Sequence, residues 1–274
     1  MINSDKTLLP IAIFDSGVGG LTVARALKQR LPNESLLYLA DTASRPFGTK
    51  SADELKLIIE KNCELLASLK IKMLVIACHT ACSLGLEIYR PLNIPIMGIT
   101  ESSFSTLQSL NIQQSKMILG TERTIRSGVY QEFLRSQHQD HNTIFYPCSS
   151  IEHMIETEAS NPEFILKEMK ASLHEISLTK NAQVLLACTH FPIYSSYIKK
   201  ALDPSCTLID PAFDFALAIA NKLKSLSLTN SLAFSEDHYL VTHDLATFKK
   251  KFFSYFSETL GKTNHFFNHS CAII

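Results

Sequence analysis

Short apolar runs alternate along the chain with longer segments in which apolar positions recur every three or four residues. The runs Leu8–Phe14, Leu36–Leu39, Met73–Ala77 and Ile96–Ile99 predict strands buried on both faces. The periodic segments between them predict helices over Gly20–Leu31, over Ser51–Leu69, and from the third strand to Tyr89. Ser51 is a capping residue, with Asp53 and Glu54 placed to favour the dipole of the first turn. The pattern then restarts. Strands are expected at Lys116–Leu119, Thr143–Tyr146, Val184–Ala187, Thr207–Ile209 and His238–Val241. Helices are expected over Thr124–Ser136, 151–158, Pro162–Leu178, Ala212–Leu226 and Leu245–Phe256, with Pro192 suited to a first helical turn. Repeated strand–helix units imply parallel sheets covered by helices, here as two α/β domains with no low-complexity linker between them.

Two of these strands end alike. Val75-Ile76-Ala77-Cys78-His79-Thr80 and Leu185-Leu186-Ala187-Cys188-Thr189-His190 each run an apolar stretch into a cysteine and small polar residues, 110 residues apart. Ligands of open α/β sheets bind at the carboxyl ends of strands. Two such loops facing one cleft place a thiol on each side of a small substrate. That arrangement suits removing a proton from one face of a carbon and returning one to the other, which is the chemistry of a racemase. A helix start beside each thiol is expected to lower its pKa from about 8.5. His190 is a candidate proton donor, or a cation acting on Cys188.

Asp15-Ser16-Gly17-Val18-Gly19-Gly20 follows the first strand directly. Its glycines allow a tight turn and close approach, and its amides favour an anion. The spacing is not that of a dinucleotide fingerprint, although Asp41 ends the second strand. Packing alone also explains the glycines. Zinc is the chemical alternative for Cys78, His79, Cys82, Cys188 and His190, but no paired-cysteine knuckle is present, so no metal is expected. Cys63, Cys148, Cys206 and Cys271 read as inert buried thiols.

The 274 residues carry no net formal charge and give no sign of binding nucleic acid or membranes. Seven scattered cysteines fit a reducing cytosol. The N-terminus lacks a signal-peptide pattern, and no segment reaches the length of a membrane span. A cytoplasmic protein is expected.

The motifs together resemble glutamate racemase, of the cofactor-independent aspartate/glutamate racemase family. The resemblance is carried by Phe14 through Val23, Asp41-Thr42-Ala43, Pro46 through Ser51, Ala77-Cys78, Thr80-Ala81, Gly120-Thr121, Thr124 through Gly128, Tyr130-Gln131 and Cys188 through Pro192. It implies two α/β domains with the active site in the cleft between them, residues 1–97 plus 208–274 forming the first and 98–207 the second. It implies interconversion of L- and D-glutamate without cofactor, supplying peptidoglycan biosynthesis, cell wall biogenesis and cell shape. It also implies a homodimer, and DNA gyrase as a partner only by analogy with some family members.

By resemblance, Cys78 deprotonates D-glutamate and Cys188 deprotonates L-glutamate. Asp15 partners Cys78, His190 partners Cys188, and Glu156 is an auxiliary carboxylate. Ser16, Pro46, Phe47, Gly48, His79, Thr80, Thr121 and Thr189 fall at substrate-binding positions. A carboxylate beside Cys78 raises its pKa and a cation beside Cys188 lowers it, so Cys188 is expected to be the more acidic thiol. Three departures stand out: His79 where the family has Asn, Phe47 where it has Tyr, and Ile209-Asp210-Pro211 where it has Asp-Ser. His79 keeps open a racemase of another acidic amino acid such as aspartate, or a decayed racemase-like protein that binds a partner.

Overall fold

The computed structural model describes residues 5–111, 113–157, 161–174, 176, 178–232, 235–260 and 264–268. Among the described residues ten strands form two sheets in which every pairing is parallel. The first holds β1 (Ile11–Asp15), β2 (Leu36–Ala40), β3 (Met73–Ile76), β4 (Ile96–Gly98), β9 (Asp237–Val241) and β10 (Asn264–Asn268), in the order β10-β9-β2-β1-β3-β4. The second holds β5 (Lys116–Gly120), β6 (Thr143–Pro147), β7 (Gln183–Ala187) and β8 (Thr207–Ile209), in the order β6-β5-β7-β8. Every residue of β1, β3 and β5 is buried, as the continuous apolar runs require. The fold is two parallel-sheet α/β units.

The order reverses between β1 and β3 in one sheet and between β5 and β7 in the other. At such a switch point the connections leave the two strands toward opposite faces, opening a crevice at their carboxyl ends. Asp15 ends β1 and Cys78 follows β3. Thr121 follows β5 and Cys188 follows β7. The four positions singled out by sequence therefore stand beside two switch points.

The helices are α1 (Leu21–Arg30), α2 (Ala52–Ser68), α3 (His79–Cys82), α4 (Ile99–Ser109), α5 (Glu122–Arg126), α6 (Val129–Ser136), α7 (Ser149–Glu156), α8 (Pro162–Leu173), α9 (Ser195–Ala201), α10 (Ala212–Ser225) and α11 (Leu245–Phe256). Ser51 begins α2 with a complete capping box, accepting from the Glu54 amide at 3.2 Å while Glu54 accepts from the Ser51 amide at 2.8 Å. β8 pairs with β7, so the second sheet continues through Ile209. The chain then returns to the first sheet through β9, which pairs with β2, and β10, which pairs with β9.

Several expectations need correction. No helix runs to Tyr89: α3 is four residues long, and Leu86–Leu92 is a 3-10 turn containing Pro91. The helix expected over Thr124–Ser136 is broken at Gly128, whose φ of +79° leaves the helical region. Helix α4 lies in a segment for which the sequence pattern predicted no helix. It is rich in Ser and Thr, and the Ser103 and Thr106 hydroxyls bond back to the Ile99 and Ser102 carbonyls at 2.9 and 3.0 Å. Helix α8 ends at Leu173. β10 was not expected; its Phe266 stacks on Tyr239 at 4.9 Å. Residue 158, at the end of an expected helix, and Cys271 lie outside the described residues. Among the described residues no helix is long and apolar enough to cross a membrane.

Candidate active site

Asp15 is fully buried at the end of β1. Its Oδ1 accepts from the Gly17 amide at 3.0 Å, and its Oδ2 accepts from the Thr189 hydroxyl at 3.1 Å. The second contact joins the loops of the two sheets. The Val18 amide donates to Glu156 Oε1 at 3.2 Å. The glycine-rich loop thus does hold anions, but they are the protein's own carboxylates. Its glycines are needed for close approach: a Cβ on Gly17 would strike Glu156 Oε1, and one on Gly19 would strike His190 Nδ1.

Cys78 lies 4.0 Å from the Ser16 hydroxyl and is 5% exposed. Cys188 lies 3.8 Å from His190 Nδ1 and is 6% exposed. The opposite ring nitrogen, His190 Nε2, contacts Glu156 Oε1 at 2.8 Å. Glu156 Oε2 pairs with Arg45 and accepts from Lys251 Nζ at 2.7 Å, and the same ammonium donates to the Glu156 carbonyl at 2.6 Å. A single carboxylate on α7 is therefore clamped by the loop after β1, the loop after β2, the turn after β7, and α11.

Burial penalises charge on Asp15, Glu156, His190 and the two thiols, and what opposes it differs from group to group. Burial pushes the Cys78 thiol well above its ordinary value, and the nearby Asp15 carboxylate pushes it further. Burial also raises Cys188, but there the bond and charge of His190 pull the other way. The expected lowering of both thiols by a helix start does not occur. α3 has a single turn and a 3-10 turn follows Cys188, so little dipole is available against full burial. The neighbours act in the expected opposite senses, the charge of Asp15 adding to the rise of Cys78 and His190 opposing that of Cys188. Burial disfavours charge on His190, yet its bonds with Cys188 and Glu156 outweigh that and carry its pKa well above the ordinary value. Burial would raise Glu156, but His190, Lys251 and Arg45 hold it well below the usual carboxylate range. Burial raises Asp15, with the charge of His190 and hydrogen bonds from Gly17, Thr189 and Gly20 opposing.

The remaining candidates divide. Thr80 and Thr121 hydroxyls meet at 2.9 Å, and both contact Thr124. Gly48 packs against Thr121: a Cβ placed on it would stand 2.8 Å from Thr121 Cβ. Pro46 lies beside Arg45 in the cavity wall. The Phe47 ring is buried against Phe14, at 6.2 Å between centroids, so the family tyrosine's position points here into the core. His79 Nε2 faces Ser103 of α4 at 3.4 Å, and its Nδ1 is buried with no hydrogen-bond partner among the described residues. Burial holds this imidazole neutral, down at about 3. The Cys82 thiol donates to the Ile76 carbonyl at 3.5 Å. Among the described residues no group of three His, Cys, Asp or Glu side chains could hold a metal ion.

Sequence reasoning missed Arg45, Lys251 and Glu152. Glu152 and Glu156 share one face of α7 at helical spacing, a signal that was present. Lys251 lies 95 residues from Glu156, and nothing local marks it.

Residues 22–213 match the family model described as Asp/Glu/Hydantoin racemase. The chain is 31% identical over 259 residues to a glutamate racemase of Bacillus cereus, covering 94% of this chain and 96% of the relative. It resembles a solved glutamate racemase of Bacillus anthracis at a TM-score of 0.85 and 25% identity, covering 95% of this chain and 97% of that one. A glutamate racemase of Francisella tularensis, solved in complex with D-glutamate, gives a TM-score of 0.84 at 26% identity, covering 96% and 97%. With its two parallel-sheet units, strand-end thiols and these likenesses, the chain belongs to the Asp/Glu/Hydantoin racemase family, a family of isomerases.

Proposed function

We propose that this protein is a glutamate racemase that inverts Cα with two thiols and no cofactor. The observation that carries this reading is the placement of Cys78 and Cys188 after β3 and β7, beside the switch points of two sheets whose loops touch through Thr189 and Asp15. The substrate lies in the cleft between a first unit, 1–97 with 208–274, and a second unit, 98–207, the boundary falling within β8, whose pairing with β7 ties it to the second sheet. One thiolate takes the α-proton from one face. The thiol opposite gives its proton to the other face, and the two cysteines leave the turnover with their protonation states exchanged. Cys78 is the base toward D-glutamate and Cys188 the base toward L-glutamate. The hydroxyls of Ser16, Thr80, Thr121 and Thr189, and the main chain of Pro46 through Gly48, supply polar contacts for the substrate. Asp15 and His190 set the proton affinity of the thiol beside each. The cellular role that goes with this reading is cytoplasmic supply of D-glutamate for peptidoglycan.

A racemase of another acidic amino acid is the second reading, and His79 favours it. A neutral imidazole offers one N–H donor where an amide offers two. Proton NMR in D2O separates the readings. With glutamate, wild-type protein should lose the α-proton signal with inversion, and Cys78→Ala and Cys188→Ala should each abolish racemisation. Exchange with aspartate alone would move the substrate. Exchange with neither would overturn the racemase assignment.

A further inference from the structure

Glu152 lies one turn before Glu156 on α7 and is 4% exposed. Its Oε2 is buried and makes no hydrogen bond among the described residues. A Cβ built on Gly48 would stand 3.2 Å from that oxygen and 2.8 Å from Thr121 Cβ, so the carboxyl converges with two of the substrate-binding candidates. Glu152 also lines a cavity of about 490 Å³ together with Arg45, Pro46, Thr49 and Glu156. A buried, unpartnered polar oxygen is destabilising, so its retention at this spot calls for a partner that arrives with the ligand.

We infer that Glu152 binds substrate as a carboxylic acid, donating its O–H to a carboxylate of the incoming amino acid. The inference rests on the racemase reading above. The division of cations supports it. Arg45, Lys251 and His190 all pair with Glu156, and among the described residues no cation forms an ion pair with Glu152. Burial raises Glu152 to about 7, Glu156 and Asp15 push in the same direction, and His190 and Arg45 oppose them. The Cys78 and Cys188 thiols also feel its charge. A substrate carboxylate beside it raises its proton affinity further, so proton and substrate bind cooperatively. An ionised Glu152 would instead repel an acidic substrate at close range.

Calorimetric binding of racemic glutamate, whose composition turnover does not change, tests this between pH 6.5 and 8.5. The apparent Kd of the wild type should weaken about 25-fold as Glu152 loses its proton. Glu152→Gln keeps a donor but does not titrate, and should bind with nearly constant Kd. Glu152→Val should bind more weakly than Glu152→Gln at every pH, also without the slope. A wild-type Kd that is flat, or that tightens with pH as an ionised Glu152 gripping the ammonium group requires, overturns the inference while leaving the racemase intact. A slope retained in Glu152→Gln does the same. No glutamate binding at any pH overturns both.

Discussion

Cys78 follows β3 as Cys188 follows β7, and each stands beside the switch point of a parallel sheet. Their surroundings differ in sign. On the first side the thiol meets a hydroxyl, Ser16, and the charge of Asp15, with no cation in contact among the described residues. On the second side it meets His190, the first member of a chain that continues to Glu156 and on to Arg45 and Lys251. Two strand ends of nearly identical sequence thus yield one thiol held firmly as an acid and one whose anion has a cation beside it. Repeating a local motif fixes where a reactive group stands; the more distant residues that reach it fix its proton affinity.

The largest expected effect falls on the charged side. Glu156→Gln leaves Lys251, Arg45 and His190 without their counter-charge. Removing one partner of a buried ionic cluster costs about 3–5 kcal/mol. Urea denaturation at neutral pH should show a loss of that size. A loss of under about 1 kcal/mol would mean the cluster is effectively solvated, and the contrast between the two sides would shrink.

A smaller effect belongs to the first side. Burial holds the His79 imidazole at about 3, whereas an unfolded histidine titrates near 6.5. The unfolded chain therefore takes up the proton first. This histidine's contribution to stability is full above about 6.5 and is lost as pH falls toward its folded value. Between pH 7 and 5.5 the wild type should lose about 1 kcal/mol more than His79→Asn. Equal losses, measured by denaturant titration at the two pH values, would show that the ring takes up a proton in the folded protein.

Much of this was readable from residues alone. Apolar runs announced nine of the ten strands among the described residues, most plainly β1, β3 and β5, where a strand covered on both faces has no polar side to hide. Cys78, Cys188, Asp15 and His190 were visible because they follow those runs directly. What escaped depends on tertiary contact. Helix α4 buries Ser and Thr hydroxyls that bond to its own backbone, so its periodicity is not apolar. β10 carries only two consecutive phenylalanines and gains its place by pairing with β9. The expected acidity of the thiols failed because burial, which no short motif reveals, outweighs a one-turn helix. Lys251 could not be assigned to Glu156 without the path of the chain from β8 back to the first sheet.

The contrast between the thiols is tested most directly by their titration. Alkylation by iodoacetamide, followed at Cys188 in Cys78→Ala and at Cys78 in Cys188→Ala by site-resolved mass spectrometry, gives the pH midpoint of each. Both midpoints should lie above that of an ordinary cysteine, about 8.5, with Cys188 the lower of the two. A lower midpoint at Cys78, or a midpoint near 7 at either thiol, would contradict the assignment of Asp15 and His190 as opposing neighbours.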